Sequence, residues 1–286
     1  MLRRFANNAA LSKSLRLRPI QIAWPLYLAQ RRKSNLKLDD KVVIVTGAGL
    51  GIGAATCIAY SHEGSNIVLA DLNQENLDKI ARICEENCAK TLCVKTDVTQ
   101  EDQLKELVRA TIEKFGKIHV LVNNAGILTF GSLIKGDVLS SYDKVLAVNL
   151  RACVQLTMLS AQHLLKTKGN VINVSSILGR TYAGNSKYMP YCISKAGLDH
   201  FMFGAALEFA PHGVRVNNIC PGPTKTEIFE KAGVKGDWKD IAQSFKLGEM
   251  SEPSEVADLI VYISSYKARS ITGVRIYIDR GHLVMG

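Results

Sequence analysis

From Asp40 onward the chain alternates between two kinds of segment, and this alternation limits its fold more than any other feature. Short runs rich in β-branched and aliphatic residues lie at 42–46, 66–70, 91–95, 119–123, 170–174, 215–220 and 274–278. Between them, stretches such as 74–88, 101–115 and 137–166 place Leu, Ile and Val at helical intervals among charged residues. Strands joined by long helical crossovers run parallel, because a tight hairpin returns the chain in the opposite direction. The pattern predicts one doubly wound α/β domain over residues 39–286, a seven-stranded parallel sheet flanked by helices, with no internal repeat.

The formal charge of +10 is concentrated in one place. Residues 1–38 carry nine basic residues and no acidic one, which leaves 27 Lys and Arg against 26 Asp and Glu in the rest of the chain. Duplex binding needs a basic stripe across a folded face, so a nucleic-acid partner is not expected. Arg3, Arg4, Lys13, Arg16 and Arg18, set among Leu, Ala, Ser and Asn, have the acid-free, Arg-rich composition of a mitochondrial transit peptide. The competing readings are a secretory signal, with an apolar stretch at 20–29 that Pro25 interrupts, or an untargeted tail on a cytoplasmic protein. No stretch reaches the ~18 uninterrupted apolar residues that a membrane-spanning helix requires.

Seven cysteines, an odd number scattered through apolar segments, suit a reducing compartment. Cys84, Cys88 and Cys93 lack the paired spacing or nearby histidines of a metal site, and no metal is expected. His163, His200 and His212 fall in or beside helical stretches without an evident partner.

Directly after the first strand comes Thr46-Gly47-Ala48-Gly49-Leu50-Gly51-Ile52-Gly53, leading into a helical run at 54–61. Glycines at such a strand-to-helix turn let backbone amides approach a pyrophosphate, whose charge the helix N-terminus then stabilises. The turn therefore predicts a Rossmann-type dinucleotide site built on Gly47, Gly49, Leu50, Gly51, Ile52 and Gly53. The second strand leads to Asp71, 18 residues beyond Gly53, near where a carboxylate accepts hydrogen bonds from the adenosine ribose. That carboxylate would repel the 2′-phosphate of NADP, and the turn holds no Arg or Lys to offset it, so NAD is the expected cofactor.

These motifs, with others further along, resemble the short-chain dehydrogenase/reductase family from about Leu38 to the C-terminus. The matching residues are the glycine turn, Asp97-Val98, Asn123-Asn124-Ala125-Gly126, Asn149, Ser176, Tyr191 with Lys195, and Pro221-Gly222 with Thr224 and Thr226. The resemblance, strongest toward 3-oxoacyl reductase-like members, implies several roles. Asp97, beside Val98, contacts adenine. Asn123, Ala125 and Gly126 line the cofactor cleft, and Pro221, Gly222, Thr224 and Thr226 hold the nicotinamide end. Lys195 binds the nicotinamide ribose, Ser176 bonds the substrate oxygen, and Asn149 holds a water that relays protons to Lys195. It also implies a homotetramer joined through the helices at 101–115 and 141–166.

The chemistry has its own logic. Alcohol oxidation needs a base for the hydroxyl proton, and ketone reduction needs the same group as an acid. A phenol titrates near ~10 unless a fixed cation lowers it, and Lys195, four residues after Tyr191, shares its helix face. The resemblance implies Ser176 over Ser175, because the family's catalytic serine is the one followed closely by a glycine, and neither Tyr182 nor Tyr188 has a lysine four residues later. Relative to the family, the Ser176 to Tyr191 interval is about two residues longer, and Asp279-Arg280-Gly281 stands where two glycines usually follow the aspartate. Residues 224–247, with Gly233, Gly236, Trp238 and Phe245, are expected to form a lid over a substrate of some apolar bulk. The expected function is reversible hydride transfer between a secondary alcohol and a ketone: a 3-oxoacyl, hydroxy-acid, steroid or similar small molecule. The alternative is a non-catalytic NAD(H) sensor or scaffold.

Overall fold

The computed structural model describes residues 36–182, 186–233 and 246–285. The apolar runs become β1 (Val42–Thr46), β2 (Asn66–Asp71), β3 (Thr91–Lys95), β4 (Val120–Asn123), β5 (Asn170–Val174), β6 (Arg215–Pro221) and β7 (Arg275–Ile278). They pair in the order β3-β2-β1-β4-β5-β6-β7, all parallel. This is the doubly wound sheet expected from the sequence, with boundaries shifted by a residue at β2, β4, β6 and β7.

Helices α1 (Gly51–His62), α2 (Gln74–Glu86), α3 (Glu101–Phe115), α4 (Val138–Leu146), α5 (Ala152–Thr167), α6 (Met189–Phe209), the single turn α7 (Ile228–Lys231) and α8 (Pro253–Ser264) complete the chain. Their faces follow the helical repeat: α2 buries Leu77, Ile80, Ala81 and Cys84, and α3 buries Leu104, Leu107, Val108 and Thr111. The Asn73 side chain accepts the Asn76 N–H to start α2, and Gly116, at φ 72, ends α3.

One stretch departs from expectation. The helix predicted over 137–166 is broken into α4 and α5 by a π-helical turn, Ala147–Arg151, that contains Asn149. Such turns insert one residue into a helix and collect at functional sites.

Both faces of the sheet are covered, as a parallel sheet requires. Successive β1 residues point to opposite layers. Val43 and Val45 join Tyr60, Leu77 and Ile260 of α1, α2 and α8, while Val42 and Ile44 join Leu107, Leu164 and Met202 of α3, α5 and α6. Cys57 and Cys84 are core residues of the first layer, and Cys93 packs against them. Burial pushes the thiols of Cys84 and Cys93 up to about 12 and about 11.

The ordered packing begins before residue 39. Leu38 is buried in the first layer, the Tyr266 N–H donates to the Leu36 carbonyl (3.1 Å), and Ser65 Oγ donates to that of Leu38 (2.8 Å). The leader up to residue 35 lies outside the described residues. Because Leu38 is 2% exposed, Leu38→Ala should lower unfolding stability by about 2–5 kcal/mol, read as a shift in the urea midpoint at unchanged slope.

Candidate active site

A cleft of about 920 Å³ opens where the strand order reverses between β1 and β4, and the segments leaving β1, β4, β5 and β6 line it. In doubly wound sheets such switch points are where ligands bind. Gly47, Leu50, Gly51 and Ile52 reach it from the glycine turn, and Asp71 from the end of β2. Ala125 and Gly126 follow β4, Ser176 follows β5, and Pro221, Gly222, Thr224 and Thr226 come from the end of β6 and beyond. Tyr191 and Lys195 reach it from α6.

The glycine turn fits a dinucleotide pyrophosphate on its own geometry. Gly47 sits at φ +64, and a Cβ there would lie 2.9 Å from Asn124 Nδ2 and 3.0 Å from Ala125 Cα. Leu50 precedes α1 without a capping side chain, and the first turn of α1 holds no acidic residue. Its unpaired N–H groups and positive dipole end are therefore available to an anion. Gly53 acts differently: a Cβ would come 2.0 Å from the Gly47 carbonyl oxygen, so it lets α1 pack on the turn. Gly49 is outside the lining, but its N–H donates to Asp71 Oδ2 (3.0 Å), while Asp71 Oδ1 accepts the Asn73 N–H (3.0 Å).

Other expected contacts sit behind this wall. Asp97 Oδ1 accepts from the N–H (2.9 Å) and Oγ1 (2.7 Å) of Thr99, and the residue is outside the cleft lining. Val98 and Asn123 border a small void behind Ala125. Two tethers were not singled out from sequence. Thr46 Oγ1 accepts the N–H groups of Asn124 (3.0 Å) and Ala125 (3.1 Å), and Asn124 Nδ2 donates to the Thr46 carbonyl (2.8 Å). Together they lock the turn after β4 onto the glycine turn.

On the catalytic side, Tyr191 and Ser176 both line the cleft, and Ser176 is close enough to the phenol to influence its pKa. Ser176 Oγ accepts the Leu178 N–H (3.1 Å), which starts the turn Ile177–Gly179. Ser175 is occupied elsewhere, its Oγ donating to Asp199 Oδ1 (2.8 Å). Tyr188 lines the cleft edge-on to Phe130, with ring centroids 5.3 Å apart, whereas Tyr182 is exposed. Residues 183–185 of the lengthened loop, and 234–245 of the lid with Gly236, Trp238 and Phe245, lie outside the described residues. Glu227, Ile228, Phe229 and Lys231 bring the described part of the lid onto the cleft.

Lys195 Nζ is one helical turn from Tyr191, 5.6 Å from its ring centroid, and donates to the Val174 carbonyl (2.8 Å). Burial pushes the Tyr191 phenol up to about 12, with Ser176 pulling the other way. Burial also lowers the Lys195 ammonium, opposed by Cys153, Asp199 and Cys220. Burial is thus the largest influence on both groups. Asn149 is fully buried, and its amide is committed to protein groups. Nδ2 donates to the Ile127 carbonyl (2.9 Å) and Ser194 Oγ (3.1 Å), and Oδ1 accepts the Ile127 N–H (2.9 Å). Both amide hydrogens are therefore used to tie the loop after β4 to α6.

Comparison with known proteins places this geometry. A family profile described as enoyl-(acyl carrier protein) reductase matches residues 47–282. The chain is 34% identical over 250 residues to the 3-oxoacyl-[acyl-carrier-protein] reductase FabG of Thermotoga maritima, covering 87% of this chain and all of that one. It is 32% identical over 250 residues to the meso-2,3-butanediol dehydrogenase of Serratia marcescens, covering 86% and 96%. A short-chain dehydrogenase/reductase of Caenorhabditis elegans solved with cofactor superposes with a TM-score of 0.81 at 30% identity, covering 86% and 96%. The chain belongs to the short-chain dehydrogenase/reductase family. It is an oxidoreductase acting on CH–OH groups by hydride transfer between alcohol and ketone.

With a raised phenol pKa, the protonated form needed for ketone reduction is fully present at neutrality and is lost only as pH rises toward about 12. The phenolate needed for alcohol oxidation grows in the same direction. kcat/KM for reduction should therefore stay level through neutrality and fall at alkaline pH, while oxidation rises. Tyr191→Phe should reduce both by about 10²- to 10⁴-fold. Opposite slopes in a two-direction pH profile would confirm the assignment.

Proposed function

We propose that this protein is an NAD(H)-dependent dehydrogenase/reductase in which Tyr191 exchanges the hydroxyl proton and Ser176 holds the substrate oxygen. The convergence of Ser176, Tyr191 and Lys195 on one cleft, with Lys195 Nζ 5.6 Å from the Tyr191 ring centroid, carries this reading. Ser176 and Tyr191 together give a carbonyl oxygen two donors, stabilising the charge it gains as it is reduced. The nicotinamide, when bound, supplies or accepts the hydride. Gly47, Gly51 and the N-terminus of α1 would hold the pyrophosphate, Asp71 the adenosine ribose, and the segment from Pro221 through Thr226 the nicotinamide end. Lys195 would take the nicotinamide ribose and keep its charge beside the phenol. With its amide spent on Ile127 and Ser194, Asn149 supports the site by fixing the loop after β4; any water it holds must use another atom.

Asp71 favours NAD over NADP, because its carboxylate lines the cleft where the 2′-phosphate would have to lie. Leu128, Leu178, Ile228 and Phe229 on the substrate side suit ketones with apolar bulk, in keeping with 3-oxoacyl, hydroxy-acid or steroid substrates. A non-catalytic sensor is disfavoured, since Tyr191, Lys195 and Ser176 all converge on one cleft.

A homo-oligomer is also part of this reading. Exposed apolar side chains fall on α5 (Val154, Met158) and α6 (Ile193, Phe203, Leu207). The outer face of α3 instead carries the ion pairs Lys105–Glu101 and Arg109 with Glu106 and Glu113. Those two helices are therefore better suited to subunit contacts than α3. The basic leader supports mitochondrial targeting, and among the described residues no helix is long and apolar enough to cross a membrane.

The deciding experiment measures NADH and NADPH oxidation with ketones, 3-oxoacyl thioesters and oxosteroids, using Tyr191→Phe as the control. Turnover with NADH that the variant loses supports the reading; tight NADH binding without turnover across the panel would overturn it. Asp71→Ser should reduce the preference for NADH over NADPH at least ~10-fold, equivalent to ~1.4 kcal/mol.

A further inference from the structure

Arg280 occupies backbone space that favours glycine. Its φ is +52, the left-handed region that side chains disfavour, and the surrounding contacts explain why it stays there. Its Nη2 lies 2.6 Å from both carboxylate oxygens of Glu255 in the first turn of α8, and its Nη1 is 4.0 Å from Glu249. Its carbonyl accepts the Leu247 N–H (3.3 Å). Glu255 is itself fixed, accepting the Glu252 N–H on Oε2 (2.7 Å).

Leu247 and Glu249 belong to the limb that returns from the lid. That limb is joined to the outgoing limb at its base: the Lys225 N–H donates to the Ser251 carbonyl (3.0 Å), the Ser251 N–H to that of Pro223 (3.3 Å), and Lys225 pairs with Glu252. On the other side of Arg280, the tail folds around Asp279. Its Oδ1 accepts the Gly281 N–H (3.1 Å), its Oδ2 that of Leu283 (2.9 Å), and its carbonyl that of His282 (2.9 Å). The turn brings His282 into the lining of the cleft. Among the described residues lining the cleft, His282 and Lys231 are the nitrogen bases besides Lys195.

We propose that Arg280 is a positioning residue that pins the segment at 246–252 to the tail, and that His282, aimed by this junction, determines specificity by contacting a carboxylate on the substrate separate from its reacting carbonyl. The inference rests on the cleft being a hydride-transfer site. It narrows the substrates of that site to oxo acids and their hydroxy-acid partners, and adds a residue pair outside the acid/base machinery.

The test uses the full chain and two probes of equal length, a 3-oxo acid and the matching methyl ketone. His282→Ala should raise KM for the oxo acid about tenfold, ~1.4 kcal/mol, and leave the methyl ketone within about twofold. Arg280→Gly relieves the left-handed strain and loses the Glu255 pair, so a merely structural role would move its melting temperature and leave its KM values unchanged. The proposal instead expects a higher KM for the oxo acid at unchanged NADH affinity, with faster amide hydrogen exchange over 246–252 and 279–285. Arg280→Ala, which keeps the strain and loses the pair, should show the same exchange pattern. Unchanged KM in both His282→Ala and Arg280→Gly, or unchanged exchange in the arginine variants, overturns the proposal. If the wild type turns over neither probe, hydride transfer on these ketones fails separately. Exchange then still decides the anchor, and NADH-fluorescence titration with the oxo acid, comparing wild type with His282→Ala, decides the contact.

Discussion

The active-site geometry depends on a line of buried amides. Asn123, Asn173 and Asn218 occupy the same register on β4, β5 and β6, and each hands a hydrogen bond to the next. Asn123 Nδ2 donates to Asn173 Oδ1 (2.8 Å), Asn173 Nδ2 to Asn218 Oδ1 (2.8 Å), and Asn218 Nδ2 to Asp199 Oδ1 (2.8 Å). All donate in one direction, toward a carboxylate that also receives Ser175 Oγ and faces Arg275 at 3.5 Å. A one-residue slip in any of these strands would turn its amide to the opposite face, leaving buried polar groups unpaired at about 1–3 kcal/mol each. The register of three strands is therefore tightly specified, and the residues just beyond the ladder are the ones that line the cleft.

Asp199 extends that constraint to catalysis. It lies on α6 one turn beyond Lys195 and two beyond Tyr191, so the ladder fixes the catalytic helix against the strand ends that carry Ser175, Ser176 and Gly222. Asn149 adds a second tie from the opposite side. Because the π turn rotates its side chain inward, the amide bridges Ile127 and Ser194, the neighbour of Lys195. The sheet and the helical layer thus reach the Tyr191–Lys195 pair through separate hydrogen-bond systems, and neither relies on a loop alone.

The sequence made the sheet, its strand count and the first three helices legible, because these follow from local periodicity: the buried stripe Leu104, Leu107, Val108 and Thr111 can be read directly from spacing. The cleft residues were legible for a different reason, since strand-end motifs in a doubly wound fold must converge at the switch point. What escaped reading depends on distant partners. Nothing local to 147–151 shows that Asn149 will bond Ile127 and so break the helix. Asp199 gains its meaning only from Asn218 and Ser175, and Arg280 from Glu255. Asp97 shows the converse, a motif residue whose carboxylate is taken up by Thr99 two positions away, outside the cleft lining.

In the proposed mechanism, the balance at Tyr191 decides which form of the phenol is present near neutrality. A cation four residues away on a helix can favour phenolate only if its field outweighs the loss of water around the phenol. Here the ammonium donates to the Val174 carbonyl, and burial is the largest influence on the phenol. A buried phenol that keeps its proton is already in the state a ketone requires, with Ser176 beside it to share the charge developing on oxygen. Alcohol oxidation would ask the same residue to ionise, which its burial opposes. Near neutral pH the site thus presents the protonated phenol that reduction would use, and the phenolate that oxidation would use grows only as pH rises.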